Sequence, residues 1–457
     1  MQKENIMMLS AEQIASLVNS RELSAHEVAE AFLKEAENDK TNAYITLCED
    51  AVRCGDEVDK RVKNGEKLPL AGVPMGIKDN ICTEGVRTTC ASRFLKDFVP
   101  SYSATAWKKL RAAGAVMIGK TNLDEFAVGS DGTSSAFGET KNPLDASRVP
   151  GGSSSGSGAA VAAHLCAASL GSDTGGSARL PASFCGAVAL KPTYGTVSRY
   201  GLVGFAPSFE QISPMAMNVR DTALVFDVIR GRDERDMTSF DIDFELKVPD
   251  AARLSVGVFT DVGCLPEVRG AADMTAAFFA RLGASCEEIT LPHHELAAGT
   301  YYTLSSTELA SNLARFDGIR YGADCGGVGR TRKECFGKKL KCRMAEGAYV
   351  LTEKNAERYS AACAIRQEVR LGMDSLFEKY DLIITPSAAS AAVRFGEDAS
   401  HSDVYSVFAN LSGCPALAMP SGALSDGLPV GVQLMARHGA ESLLFGAASL
   451  VEERRAR

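Results

Sequence analysis

Short apolar runs alternate with helical segments along the chain from about residue 70. The apolar runs at 71–77 and 115–118 lie on either side of a segment with helical periodicity at 104–113. This alternation is typical of an α/β fold, in which strands and helices follow each other. Further apolar runs of strand length predict strands at 186–190, 254–259, 382–385, 416–419 and 430–435.

Two helix-start signals precede this core. Ser10 with Gln13 and Ser24 with Glu27 have the pattern of a capping box, in which side chains satisfy the first N–H groups of a helix. The pattern predicts two peripheral helices between residues 9 and 37, in a helical N-terminal region that extends to about residue 65.

Two other stretches stand out by their composition. Residues 158–170 are nearly all small or apolar, which predicts a closely packed, buried helix that contains His164. The charged stretch 231–250 predicts a surface excursion between a core at about 70–225 and a C-terminal half at about 251–457. We expect a single domain of 457 residues, because such an excursion does not need to be a domain boundary.

Composition excludes several classes of function. The net charge of −8 argues against a surface that binds nucleic acid or anionic membranes as a whole. The chain has no apolar run of transmembrane length and no apolar signal segment at its N-terminus, so we expect neither membrane insertion nor secretion. The thirteen cysteines are scattered and form no Cys-x-x-Cys pair, which indicates packing roles in a reducing cytoplasm.

Two clusters of glycine and serine lie close together in the sequence. The chain reads Gly-Gly-Ser-Ser-Ser-Gly-Ser-Gly at 151–158 and Asp-Thr-Gly-Gly-Ser at 173–177. Glycine lets backbone N–H groups approach a reacting atom, and serine supplies a hydroxyl nucleophile. The two clusters therefore predict a serine nucleophile with an oxyanion hole.

Three kinds of site are compared: a phosphate-binding loop, a histidine-based triad and a serine with a lysine base. The segment 114–121 matches the pattern of a phosphate-binding loop, but its centre is a strand core and no helix opens after it. A histidine-based triad is not expected either, since no Gly-x-Ser-x-Gly stands in a strand-to-helix context. A buried lysine can replace histidine, because burial lowers its pKa. Lys78, after the apolar run 73–77, is the candidate, and the alternative is a surface lysine beside Asp79.

Three motifs resemble the amidase signature family. They are Gly-Val-Pro-Met-Gly-Ile-Lys-Asp-Asn at 72–80, Pro-Gly-Gly-Ser-Ser-Ser-Gly-Ser at 150–157 and Gly-Ser-Asp-Thr-Gly-Gly-Ser-Ala-Arg at 171–179, in the order of that family. The resemblance implies a mixed central β-sheet with helices on both faces. It also implies these roles: Ser177 as the nucleophile, Ser153 as the proton relay after a cis peptide bond, Lys78 as the base, and the N–H groups of Thr174, Gly175, Gly176 and Ser177 as oxyanion donors.

Within that family, the stretches 112–127, 190–202 and 311–322 resemble the glutamine-hydrolysing subunits of tRNA-dependent amidotransferases. Such a subunit releases ammonia from glutamine for misacylated Glu-tRNA(Gln), with Asp-tRNA(Asn) as an open second acceptor. The resemblance implies a hetero-oligomer with a small third subunit, together with a kinase-type transamidase subunit, which uses ATP and Mg²⁺ and contacts most of the tRNA. No cofactor is expected in this chain.

The same resemblance implies residues that bind the substrate. Arg366 is expected to bind the glutamine α-carboxylate, Asp403 its α-ammonium group, and Tyr321 to close the pocket. The alternative for the two charged residues is a solvated helix face and a loop charge. The basic stretch 330–343 predicts a solvated loop, with a surface for a partner or tRNA as its alternative.

Two competing functions stay open from the sequence. A stand-alone amidase of another small or aryl amide shares the catalytic set but does not need the two charged binding residues. A non-catalytic assembly subunit is disfavoured, because the catalytic set is intact. The chain departs from the family pattern at Ser155, Glu210 and Ser213, and these departures spare the three catalytic positions.

Overall fold

The computed structural model describes residues 6–259, 263–397 and 403–456. Within these ranges, eleven strands form one sheet in the order β1-β3-β2-β4-β6-β5-β10-β11-β9-β7-β8. The strands are β1 (Tyr44–Leu47), β2 (Pro74–Lys78), β3 (Val116–Thr121), β4 (Ala168–Asp173), β5 (Val188–Lys191), β6 (Gln211–Ala216), β7 (Ser255–Val258), β8 (Ser285–Glu288), β9 (Leu382–Pro386), β10 (Ala416–Ala423) and β11 (Pro429–Met435).

The sheet is mixed, as predicted. β2 lies between β3 and β4 and runs parallel to both. Antiparallel pairs then join β4, β6, β5, β10, β11 and β9, and β7 pairs in parallel with β9 and β8. Strands from both sides of the charged stretch 231–250 therefore share one sheet, and that stretch contains no helix or strand of its own.

Helices flank this sheet. They are α1 (Ala11–Ser20), α2 (Ala25–Ala36), α3 (Ala51–Lys63), α4 (Thr105–Ala112), α5 (Ser155–Ala162), α6 (Arg179–Cys185), α7 (Val219–Ile229), α8 (Pro266–Arg281), α9 (His294–Asn312), α10 (Val328–Cys335), α11 (Lys338–Val350), α12 (Ala356–Phe377), α13 (Val407–Ser412) and α14 (Glu441–Ala456).

Both capping boxes at the N-terminus are confirmed. The Ser10 Oγ accepts a hydrogen bond from the Gln13 N–H at 3.1 Å, and the Ser24 Oγ accepts one from the Glu27 N–H at 3.1 Å. Each glutamine or glutamate side chain in turn accepts from the N–H of its serine. Local side-chain chemistry thus sets the starts of α1 and α2.

The seven strands that apolar runs predict are all present, as β2, β3, β5, β7, β9, β10 and β11. The apolar pattern missed β8, which reads Ser-Cys-Glu-Glu and lies at an exposed sheet edge. It also missed β1, which is only half-buried, and β6, which contains Pro214. β1 and β8 lack a buried face, so they leave no clear period-2 signal in the sequence. β6 is fully buried, but its polar residues and Pro214 interrupt the apolar run.

The segment 158–170 is not one helix, so that prediction is wrong. α5 ends at Ala162, His164 has a left-handed backbone with a φ of 54°, and β4 begins at Ala168. All six residues of β4 are buried. Small apolar residues suit a strand buried on both faces as well as they suit a helix, which explains the error.

The basic stretch 330–343 is helical, not a solvated loop. It spans most of α10 and the first turns of α11, and α11 packs against α9. The cysteines also differ in part from their predicted packing roles. Cys342 and Cys363 are exposed, so a buried packing role does not apply to them. Within the described ranges, no helix has both the length and the apolarity needed to cross a membrane.

Candidate active site

The three sequence motifs meet at one edge of the sheet. Lys78 is the last residue of β2, and Asp173 is the last residue of the neighbouring parallel strand β4. Parallel neighbours bring their carboxyl ends to the same edge, and α5 begins there at Ser155. The two Gly/Ser clusters and the lysine are therefore adjacent although they are far apart in the chain.

The Lys78 ammonium group is completely buried among serine hydroxyls. Its Nζ lies 2.8 Å from the Oγ of Ser153, 2.8 Å from that of Ser154 and 2.9 Å from that of Ser172. Burial lowers the pKa of Lys78 from its ordinary 10.5 to about 7, against the opposing effect of nearby carboxylates, of which Asp124 is the strongest. A lysine with such a pKa is available as a base near neutral pH.

Gly152 and Ser153 are held tightly by Asp124. The peptide bond between Gly152 and Ser153 is cis, as the family resemblance implies. A Cβ at position 152 would lie 2.1 Å from the Asp124 Oδ2, so only glycine fits there. The Asp124 N–H donates to the carbonyl of Ser153 at 3.1 Å. The Ser154 N–H donates to the carbonyl of Ser177 at 2.9 Å, which links the first Gly/Ser cluster to the second.

An ion pair shapes the loop that carries Ser177. The buried Asp173 carboxylate accepts from the Arg179 Nη2 at 2.8 Å and from the Asn410 Nδ2 at 3.0 Å. Burial alone would raise the pKa of Asp173, but the Arg179 guanidinium and these hydrogen bonds hold it well below its usual range. Asp173 is therefore a fixed anion that organises the loop.

Three of the four predicted oxyanion donors are free to act. The Gly176 N–H donates to the Asp173 Oδ1 at 2.9 Å, so the prediction for Gly176 is corrected: its N–H already has an acceptor. The N–H groups of Thr174, Gly175 and Ser177 have no acceptor among the residues that the structure describes. The Ser177 side chain, 9% exposed, opens onto a cavity of about 590 Å³.

This cavity also contains charged side chains of both signs. Arg343 and Asp403 line it together with Tyr302, and its other charged lining residues are Asp131, Lys338, Lys339 and Glu397. The Tyr302 hydroxyl lies 2.8 Å and 2.7 Å from the two carboxylate oxygens of Asp403. The Arg343 guanidinium carbon lies 4.4 Å from the centre of the Tyr302 ring. Tyr302 therefore holds the two opposite charges at neighbouring positions beside the nucleophile.

Two of the predicted substrate-binding residues do not reach this cavity. Arg366 lines a different cavity, where its Nε donates to the carbonyl of Leu411 at 3.3 Å and its Nη2 to that of Ser208 at 2.9 Å. Tyr321 lines a third cavity and is 52% exposed. The predictions for Arg366 and Tyr321 are therefore corrected, whereas Asp403 does line the cavity of Ser177.

Arg343 lines the cavity of Ser177, and the sequence reasoning missed it. It lies in the basic stretch that was expected to be a loop. Lys339 and Arg343 are four residues apart on α11, a spacing that puts both side chains on one helix face. Recognition of this stretch as a helix could have pointed to them, but the direction of that face depends on how α11 packs against α9.

The departures from the family pattern lie around the catalytic residues. The Ser155 Oγ lies 3.1 Å from the Oγ1 of Thr140 at the start of α5. Ser213 pairs with Gly171 in the sheet. Glu210 accepts from the N–H of Phe205 at 3.0 Å, and burial raises its pKa to about 7. None of these residues takes the place of a catalytic group.

The site combines a buried lysine on serine hydroxyls with a serine whose neighbouring amide N–H groups have no acceptor in the described ranges. This arrangement is typical of serine hydrolases in which lysine replaces histidine. The chain belongs to the amidase family, whose model matches residues 27–445. Among the described residues, no group of three or more His, Cys, Asp or Glu side chains could hold a metal ion.

Similar proteins include both tRNA amidotransferase components and other amidases. The A subunit of glutamyl-tRNA(Gln) amidotransferase from Moorella thermoacetica is 45% identical over 97% of this chain and 96% of its own length. The crystal structure of the corresponding subunit from Thermotoga maritima has a TM-score of 0.79 and 35% identity, and the alignment covers 99% of this chain and 94% of that one. A peptide amidase from Stenotrophomonas maltophilia has a TM-score of 0.84 and 28% identity, with 98% and 97% covered.

Proposed function

We propose that this chain hydrolyses glutamine to glutamate and ammonia, as the glutaminase subunit of an amidotransferase that acts on misacylated Glu-tRNA(Gln). The observation that carries the proposal is that Arg343 and Asp403 both lie next to Tyr302 in the cavity of Ser177. A free amino acid amide presents one carboxylate and one ammonium group, and these two residues offer one partner for each. The similarity to the Moorella amidotransferase component supports the same activity.

The catalytic steps follow from the order of the hydroxyls. Neutral Lys78 accepts the proton of Ser153, and Ser153 accepts that of Ser177, whose Oγ attacks the carboxamide carbon. The N–H groups of Thr174, Gly175 and Ser177 stabilise the oxyanion that forms. The C–N bond then breaks, and the relay returns the proton to the leaving nitrogen, which departs as ammonia. Water attacks the acyl ester by the same relay and releases glutamate.

Substrate recognition uses the two charges next to the nucleophile. We assign the α-carboxylate of glutamine to Arg343, because a guanidinium fork matches a carboxylate with two hydrogen bonds. We assign the α-ammonium group to Asp403, whose carboxylate Tyr302 holds in place. This assignment replaces the one that the sequence made to Arg366.

The partners belong to the proposal as well. The ammonia is used by a kinase-type transamidase subunit, which activates the misacylated tRNA with ATP and Mg²⁺ and makes most of the tRNA contacts, and a small third subunit completes the complex. Whether Asp-tRNA(Asn) is also served depends on those partners. The scattered free cysteines support a cytoplasmic location.

A stand-alone amidase is the competing function. Backbone similarity does not distinguish the two functions, since the peptide amidase from Stenotrophomonas has the higher TM-score, 0.84 against 0.79 for the Thermotoga subunit. Sequence identity ranks them in the opposite order, 28% against 35%. The charged pair in the cavity favours a zwitterionic substrate, and glutamine is one.

A panel of amides tests the proposal directly. Ammonia release is measured from glutamine, asparagine and an uncharged aryl amide, for the chain alone and with its co-purifying proteins. Arg343→Ala should raise the KM for glutamine by about 10- to 100-fold, the effect of one lost hydrogen bond to a charged group, and leave the aryl amide unaffected. Arg366→Lys, in the other cavity, is the matched control and should keep the KM for glutamine. Fast turnover of the aryl amide alone, without a stable partner, would refute the proposal.

Ser177→Ala tests the nucleophile. The variant should lose turnover of every amide in the panel, because the acyl ester cannot form. A hydroxylamine trap should yield the hydroxamate of glutamate with the unchanged chain and none with Ser177→Ala. Retained turnover would show that another group attacks the amide.

A further inference from the structure

A second cavity, of about 650 Å³, lies beside α12 and shares no lining residue with the cavity of Ser177. α12 contributes two arginines to it, Arg366 and Arg370, and also Gln367. His438 and Ser412 line it as well. This cavity is large, polar and unused by the proposed glutaminase reaction.

Within the described ranges, neither of the two arginines has a carboxylate within hydrogen-bonding distance, and the hydrogen bonds of Arg366 go to backbone carbonyls. Arg366 and Arg370 are one helical turn apart, a spacing at which like charges repel and destabilise a helix. Asp374 is the one acidic residue among those that line the cavity, and it faces His438, with an Nδ1 to Oδ1 distance of 3.8 Å. The cavity therefore has an excess of positive charge.

Hydrogen bonds and an aromatic ring hold the Arg366 guanidinium group in one orientation. Its Nε and Nη2 donate to the carbonyls of Leu411 and Ser208, and its guanidinium carbon lies 4.2 Å from the centre of the Phe209 ring. The Nη1 group has no acceptor among the described residues. Burial lowers the pKa of Arg366, and the nearby Glu308 opposes that effect. A guanidinium held in place loses little conformational entropy when it binds an anion.

We propose that this cavity is a binding site for a phosphate group. A phosphate dianion matches the two unpaired guanidinium charges, and arginine forks bind phosphate oxygens in pairs. The cavity is larger than one phosphate ion, so the group belongs to a larger molecule: either a free phosphorylated metabolite or the backbone of an RNA. Gln367 and Ser412 line the same space and offer polar contacts to the rest of that molecule.

Pyrophosphate is the probe that tests the site, by calorimetric titration of the full chain at low ionic strength. Arg370→Ala should weaken its binding by about 10- to 100-fold, because one charge-assisted contact is lost. Arg358→Ala is the matched control: it removes an exposed arginine of the same helix that stacks on Tyr349 outside the cavity, and it should not change the affinity. Arg366→Lys keeps the positive charge but removes the paired N–H donors of the guanidinium group, so it should weaken pyrophosphate binding. The circular dichroism spectrum of this variant should stay unchanged.

Competition identifies the source of the phosphate. Displacement of pyrophosphate by a nucleoside monophosphate, but not by an RNA oligonucleotide without terminal phosphates, would assign the site to a metabolite, and the reverse would assign it to an RNA backbone. Absence of pyrophosphate binding at millimolar concentration would overturn the proposal. So would equal weakening by Arg358→Ala and Arg370→Ala, or displacement by acetate in the same concentration range.

Discussion

The pKa of Lys78 predicts the pH dependence of the reaction. An ordinary lysine with a pKa of 10.5 is neutral in about one molecule in 3,000 at pH 7, whereas a lysine with a pKa of about 7 is neutral in about half of the molecules. Burial thus raises the fraction of available base by about three orders of magnitude. This pKa shift means that the protein destabilises the charged form of Lys78, relative to the neutral form, by about 5 kcal/mol.

The assay is ammonia release from glutamine, with kcat/KM measured from pH 5.5 to 9.5. Because the neutral amine is the base, kcat/KM should rise with pH, reach half of its plateau near pH 7 and fall about tenfold per unit below it. Asp124→Asn removes the carboxylate that raises the pKa of Lys78 most, so it should move the half-maximum to lower pH. Circular dichroism over the same range controls for unfolding. A half-maximum above pH 9, or a shift to higher pH in Asp124→Asn, would refute the reasoning.

Three further substitutions test the loop, the core and the binding site. Gly176→Ala should reduce activity by about 100-fold or more, because Gly176 has a φ of 122° and its added Cβ would lie 2.1 Å from the Ser406 Oγ. Gly299→Ala is the control: its added Cβ would meet open space, so the rate should stay unchanged. Arg179→Met should lower the free energy of unfolding by about 3–5 kcal/mol in urea titrations, because it leaves a buried carboxylate without its partner; a change below 1 kcal/mol would contradict this. Tyr302→Phe should raise the KM for glutamine about tenfold without changing turnover of an aryl amide, since Asp403 loses a hydrogen-bond donor; an unchanged KM would contradict the assignment.

That Lys78, Ser153 and Ser177 belong to one site could be predicted from sequence because each lies in a short motif. Lys78 ends β2, Ser153 precedes α5 and Ser177 precedes α6, and parallel pairing of β2 with β4 brings the three motifs together. The sequence could not show which N–H groups at 174–177 lack an acceptor in the folded loop. That Gly176 donates to Asp173 depends on the path of the loop, not on its composition.

The arginine that lines the cavity of Ser177 shows where sequence reasoning reaches its limit. Arg343 and Arg366 both lie on helices of the C-terminal half, in segments rich in polar residues. Periodicity identifies which residues share a helix face, but the packing of α11 and α12 decides which face meets Ser177. Because that packing is set by contacts distant in sequence, the choice between two arginines needed the structure.

The ion pair behind the nucleophile also has a consequence for synthesis of the chain. Asn410 contacts both Asp173 and Arg179, and Gln433 contacts Arg179. Arg179 precedes these two residues by 231 and 254 positions. A nascent chain that has emerged only as far as the catalytic motifs lacks the groups that order the loop. Since synthesis is directional, we expect this loop to reach its final order only after Gln433 has left the ribosome. We therefore expect unfinished chains to be inactive.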